Sequence, residues 1–158
     1  PDSHTTTAST SQTHSAEEMD RVMTLVGMAT LLFASPQDIS RVLGKSFSED
    51  GRESSEAAFA SFERLETIAS TRRSNDGDGQ RLSARVDQRA FSHETEPARL
   101  GQAIDRIGSG DAFAGAVIDG LLRKLAPEEC AKQGLAAAVM GGGLATVLTS
   151  AITGQSLS

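Results

Sequence analysis

Apolar positions recur at helical spacing in some stretches of this chain, in short continuous runs in others, and in alternation in one. Met19, Val22, Met23 and Val26 form an i, i+3, i+4, i+7 stripe, which predicts an amphipathic helix. Ser15 stands before it with Glu18 three residues on, the spacing of a capping box. The run Thr30-Leu31-Leu32-Phe33-Ala34 then reads as a buried strand. Ser35-Pro36-Gln37-Asp38 follows at once: a hydroxyl for the N-cap, a proline for the first turn and an acid for the helix dipole. Gly44 is placed to stop that helix.

After a polar loop, Ala58, Phe59, Phe62 and Leu65 predict one face of a further helix, and Thr67–Thr71 a strand. Asn75-Asp76-Gly77-Asp78-Gly79 is a strong turn signal. Beyond it Leu82, Ala84 and Val86 alternate with Ser83, Arg85 and Asp87, which predicts a half-solvated strand, with a short strand near Ala90–Ser92. Helices then close the chain. The order gives an α/β class with a central, mostly parallel sheet, an antiparallel edge and flanking helices.

The two ends depart from this pattern. Residues 1–15 are dominated by Ser and Thr and carry no large aliphatic, so they predict a disordered tail, with 16–158 as the folded portion. His4 and His14 fall in that tail and read as solvated. From Gln133 to Ser158 there is no charge. Gly134–Ile152 is long enough to be tested as a membrane span. Gly141-Gly142-Gly143 interrupts it, large aliphatics are sparse and no basic flank anchors it. It predicts two buried helices joined at the glycines.

Composition narrows the function classes. The 158 residues suffice for one sizeable core. A net charge of −6, no Trp, no Tyr and no basic cluster argue against a nucleic-acid partner, because phosphate neutralisation and base stacking both lack their residues. The acidic balance argues against adhesion to an anionic membrane. The single cysteine, Cys130, excludes an internal disulfide framework and fits a reducing, cytoplasmic setting. No apolar leader-like stretch opens the sequence, so no secretory signal is expected.

The chemistry concentrates in Asp105-Arg106-Ile107-Gly108-Ser109-Gly110-Asp111-Ala112-Phe113. A glycine-rich turn opens a helix that is apolar almost all round through Leu122, which predicts burial. Gly115 and Gly120 each cost about 1 kcal/mol against Ala in a helix interior, so close packing is expected at both. The helix start offers free backbone N–H donors over Gly108–Asp111, and the glycines admit another group to that backbone: an anion site. Asp111 sits in the first turn, as a favourable partner of the dipole or as a base beside a phosphate cradle. The segment is neither a Walker loop, since no GK[ST] follows, nor GxGxxG, since the next glycine is Gly115.

The segment DRIGSGDAFAGAVIDGLL resembles the C-terminal signature of the ribokinase-like (PfkB) carbohydrate kinases, whose core reads D-T-x-G-A-G-D-x-F. LLFASPQDISRVLG and ETIASTRR…RLSARVDQR resemble the corresponding stretches of 2-keto-3-deoxygluconate kinases, and the likeness runs from about Ala16 to Lys132. The resemblance implies a partial ribokinase-like three-layer fold and ATP-dependent phosphorylation of a sugar or sugar acid. It implies that Gly108, Ser109 and Gly110 form the anion hole and that Asp111 is the catalytic base. Asp105 matches an acidic position near a monovalent-cation site. Ser35 and Asp38 fall where many members carry N-x-x-E, which holds the Mg²⁺ water network. Ser70, Thr71 and Arg72 fall near the nucleotide-phosphate strand, and Gly141 near an adenine pocket. The implied partners are ATP or ADP, Mg²⁺ and a small sugar acid. The family's members are about twice as long, so the competing expectation is a catalytically incomplete fragment. Such a fragment would bind nucleotide or a partner chain, as a homo-oligomer covering an exposed sheet edge.

Overall fold

The computed structural model describes residues 6–48, 50–101 and 108–153, with side chains over 15–48, 50–101 and 108–140. Its contacts divide the chain into two compact units, residues 1–66 and 67–158.

The first unit holds α1 (Thr6–Met28), β1 (Leu31–Phe33), α2 (Pro36–Leu43) and α3 (Arg52–Ser61). α1 begins well before the expected cap, so Ser15 lies inside the helix and residues 6–14 of the expected tail are helical. No Gly or Pro interrupts Thr6–Val26, and Ser and Thr are only weakly unfavourable in a helix interior. Residues 1–5 lie outside the described residues. Val26 is buried as its stripe requires, whereas Met19 and Val22 stay more than a third exposed. The start of α2 matches its sequence signal closely. Ser35 Oγ accepts from the Asp38 N–H at 3.2 Å, and Asp38 Oδ2 accepts from the Ser35 N–H at 2.9 Å, a complete capping box. Gly44 ends the helix at φ 63°, a left-handed conformation that glycine adopts without strain. α3 stops at Ser61, so Phe62 and Leu65 follow the helix instead of lying on it; both are buried nonetheless.

The second unit holds β2 (Thr67–Asn75), β3 (Gln80–Gln88), β4 (Phe91–Glu94), β5 (Ala98–Arg99), α4 (Ser109–Leu122) and α5 (Pro127–Thr153). β3 is central. It pairs antiparallel with β2 from Thr67↔Gln88 to Asn75↔Gln80, with β4 from Arg85↔Glu94 to Gln88↔Phe91, and with β5. Turn residues 76–79 join β2 to β3 as the sequence predicts, with Gly77 and Gly79 at positive φ. This antiparallel part carries an α/β fold.

The register sorts the side chains. Ala69, Leu82, Ala84 and Val86 face α4 and α5 and form the core with Phe113, Val117, Cys130, Ala131 and Leu135. The opposite face of β3 is not half-solvated as the alternation predicts: Ser83 and Asp87 are buried there. β3 has neighbours on both edges, and its polar side chains bond one another. Arg85 Nε reaches Asp87 Oδ2 at 2.9 Å and its Nη2 reaches Ser92 Oγ at 3.0 Å. Glu94 accepts from Ser83 Oγ at 3.0 Å and pairs with Arg72 Nη2 at 3.0 Å. Mutual pairing offsets the cost of removing these charges from water.

α5 also departs from expectation. It runs as one helix through Gly141-Gly142-Gly143 instead of breaking there. Glycine lowers helix stability by about 1 kcal/mol each but keeps its N–H, so the hydrogen-bond ladder continues as it would not through proline. Among the described residues no helix is long and apolar enough to cross a membrane.

Candidate active site

The site is built on the α4–α5 hairpin. The two helices pack antiparallel: Gly120 faces Cys130, Gln133 Nε2 donates to the Ala116 carbonyl at 2.7 Å, and Gly134 lies against the Phe113 ring. Gly120 and Gly134 leave no space between the helices. A Cβ at Gly120 would stand 2.8 Å from Cys130 Sγ, and one at Gly134 only 2.7 Å from the Phe113 ring. Gly115 behaves otherwise, since a Cβ there meets nothing within 4 Å. The expected close packing therefore holds at Gly120 and not at Gly115. Gly134, which the sequence did not single out, takes that role. Nor is α4 buried all round. Ile118 and Leu122 are 41% and 78% exposed, so the helix buries the Phe113–Val117–Gly120 face and leaves the other open.

The start of α4 is open as well. Gly108 takes φ 93°, a conformation that requires glycine, and no side chain caps the helix. Its carbonyl accepts from the Ala112 N–H at 2.9 Å, the first bond of the ladder. The N–H groups of Ser109, Gly110 and Asp111 precede that bond and have no intrahelical partner. A Cβ at Gly110 would meet nothing, so the backbone there can be approached closely. Asp111 is exposed and makes no hydrogen bond or ion pair to a described residue. Three donors without a partner in the helix, the positive end of the helix dipole and a carboxylate without a partner among the described residues thus share one turn.

The antiparallel register places this turn level with the Ala137–Met140 turn of α5. Val139 and Met140 also form one end of a cavity of about 540 Å³, within the size range of ligand pockets. Its α5 wall is Lys132, Leu135, Ala136, Val139 and Met140, one face of the helix over roughly 12 Å. The opposite wall is residues 93–96 and Ala98. No local sequence signal marks this cavity, because β4, its connection to β5 and α5 meet only through the sheet pairing.

The remaining expected site residues are placed as follows. Ser70, Thr71 and Arg72 lie on β2. Ser70 and Arg72 share the sheet face of Arg85 and Ser83, away from the helices, while Thr71 shares the face of Ala84 and is exposed. Arg72 is engaged with Glu94. Gly141 lies in α5, directly after Met140. Asp105 falls outside the described residues. Asp38, in the first unit, has its Oδ2 taken by the Ser35 hydroxyl at 2.7 Å and by the Ser35 N–H. The Ser35 hydroxyl, the Ser35 N–H and then Arg41 hold its carboxyl below the usual range, against a smaller opposing effect of burial. That carboxylate serves the cap. Among the described residues no three side chains of metal-ligating type converge. Burial pushes the Cys130 thiol up, which disfavours the reactive thiolate.

An α/β fold thus carries, at the start of α4, N–H groups without a partner in the helix and a carboxylate in the same turn. The model of the pfkB family carbohydrate kinases matches residues 3–141, and the chain belongs to that family. Kinases of the family use ATP and typically Mg²⁺. Among solved structures, a candidate 2-keto-3-deoxygluconate kinase from Enterococcus faecalis superposes with a TM-score of 0.72 at 23% identity, over 79% of this chain and 38% of that one. A PfkB family carbohydrate kinase from Listeria grayi gives 0.68 at 22% identity, over 77% and 38%. The 2-dehydro-3-deoxygluconokinase from Thermotoga maritima gives 0.65 at 27% identity, over 78% and 39%. These likenesses establish the ribokinase-like fold, and the chain covers well under half of each structure. No curated protein sequence matches the chain significantly.

Proposed function

We propose that this chain carries the nucleotide-binding and phosphoryl-transfer portion of an ATP-dependent kinase acting on a sugar acid of the 2-keto-3-deoxygluconate type. The observation that carries this reading is the first turn of α4. Its N–H groups at Ser109, Gly110 and Asp111 have no partner within the helix, and the Asp111 carboxylate beside them has none among the described residues. The similarity to the Thermotoga maritima 2-dehydro-3-deoxygluconokinase supports the substrate class.

Phosphoryl transfer relies on positioning and charge stabilisation more than on covalent help. In this reading the cavity takes the nucleoside and the α4 start takes the phosphates. As a sugar hydroxyl oxygen bonds to the γ-phosphorus, its proton passes to the Asp111 carboxylate and the bond to the ADP oxygen breaks. The backbone N–H groups meet the charge on the phosphoryl oxygens, each worth a few kcal/mol (about 3 where measured in comparable sites) once water is excluded. The test is ADP release with Mg-ATP and 2-keto-3-deoxygluconate, for the chain and for Asp111→Asn. Turnover in the first and its loss in the second supports the reading. Equal turnover in both removes Asp111 from the chemistry.

A second reading is favoured by one observation: the exposed Ile118 and Leu122 of α4, on a chain that covers only 38% of its solved relative. The chain then binds nucleotide, or a partner that covers α4, without turnover. It predicts saturable ADP binding and no product.

A further inference from the structure

Of the five arginines on the strands of the second unit, four are ion-paired: Arg72 with Glu94, Arg81 with Asp76, Arg85 with Asp87 and Glu94, and Arg99 with Asp78. The fifth, Arg73, is exposed and has no hydrogen bond or ion pair to a described residue. Its place follows from the sheet register. Arg73 pairs with Leu82, which is buried in the core with residues of the hairpin. Side chains of paired residues share a face, so Arg73 stands on the side of α4 and α5, and Arg72 on the other.

The helices cover only part of that face. α5 turns Ala131 and Ala138 to the core over β3. One of its flanks, with Lys132, Leu135 and Val139, looks to β4 and β5; the other, with Cys130, Gln133 and Gly134, meets α4. β2 pairs with the edge of β3 opposite to β4 and β5, so α4 runs on the β2 side of the sheet. The Glu128 carboxyl is held below its usual range by Lys132 and then by the His93 ring, which sets the start of α5 at the His93–Val86 end of the sheet. The Ala137–Met140 turn, and the start of α4 level with it, therefore come to the Leu82–Arg73 end. Along this face of β2, Ala69 is buried, while Thr71 and Arg73 are exposed. The helical cover ends where the first turn of α4 stands open.

We propose, on the strength of the phosphoryl-transfer reading above, that Arg73 is the cation that binds the phosphates of the nucleotide at the start of α4, from the sheet side of that turn. Backbone donors carry only partial charge, the chain as a whole carries −6, and Lys132 is tied to Glu128 at 2.7 Å. A guanidinium with no partner among the described residues gives up no ion pair to one of them when it takes a phosphate, and it offers two parallel N–H bonds.

The experiment titrates the whole chain by calorimetry with pyrophosphate and with ADP. The wild type is expected to bind both. Arg73→Ala is expected to bind each about tenfold more weakly, the loss of one charged hydrogen-bonded pair, with an unchanged melting temperature. Arg73→Lys, which keeps the charge but not the fork, should recover part of that loss. Lys124→Gln, which removes a charge at the far end of α4, should bind as the wild type does. Undiminished affinity in Arg73→Ala overturns the proposal, and so does an equal loss in Lys124→Gln, the mark of a general effect of charge. A lower melting temperature in Arg73→Ala, with no recovery in Arg73→Lys, overturns it as well by giving the side chain a structural role. A wild type that binds neither ligand overturns the phosphate reading of the α4 start itself.

Discussion

The seam between α4 and α5 and the first turn of α4 use the same residue for opposite purposes. In the seam, glycine is present because nothing larger fits: a Cβ on Gly134 or Gly120 would stand under 3 Å from Phe113 or Cys130. At the helix start, Gly108 and Gly110 have open space around them, and what they provide is backbone shape and access. The seam fixes one helix against the other. The first turn of α4 is carried on that seam, and its N–H groups have no partner within the helix. A site that must meet developing charge needs both, because donors that reorganise during the reaction lose most of their advantage.

Four substitutions test this division. The largest expected effect is Asp111→Asn: turnover of an active kinase falls by about 10²- to 10⁴-fold in the coupled assay, while the melting temperature stays close to wild type. A large drop in melting temperature would assign Asp111 to the fold. Next comes Gly134→Ala. Its methyl group collides with the Phe113 ring and Val117, and overpacking of about 1–3 kcal/mol outweighs a helix-propensity gain of about 1. The expected melting temperature is lower by several degrees. An unchanged value would mean the seam yields freely.

Ser35→Ala in the first unit removes a cap and should cost about 1 kcal/mol at neutral pH. Its pH dependence follows from Asp38, whose carboxyl the cap holds below its ordinary value. Stability from a depressed carboxyl is fully present above the unfolded pKa and is lost as pH falls through the folded one. The wild-type advantage over Ser35→Ala should therefore shrink in acid, measured as paired melting curves at neutral and acidic pH. A constant gap would separate the cap from the carboxylate. The smallest effect belongs to Gly115→Ala. With open space around it, this change should raise stability by up to about 1 kcal/mol, read as a melting temperature a few degrees higher. Destabilisation there would show that α4 has a close neighbour at Gly115 in solution.

Features encoded locally were legible in the sequence. The Ser35–Asp38 capping box, the Gly44 stop, the Asn75–Gly79 turn and the uncapped helix start at Gly108 each depend on a few adjacent residues, and each stands where the pattern put it. Features that depend on pairing were not legible. Ser83 and Asp87 alternate like solvated residues and are buried, because β4 brings Glu94 to Ser83 and Ser92 beside Asp87, which also binds Arg85 of its own strand. Gly115 and Gly134 look alike in sequence, yet only the angular position of each on its helix decides which one touches a neighbour.

Cys130 gives the seam a chemical clock. Its sulfur is wholly buried opposite Gly120, hydrogen-bonded to the Leu125 carbonyl at 3.7 Å, and it is the chain's single thiol. An alkylating reagent can reach it only while the hairpin is parted. The labelling rate, divided by that of a free thiol, reads the fraction of time the two helices spend apart. Ligand that docks on the start of α4 should slow that rate in proportion to how firmly it holds the hairpin closed.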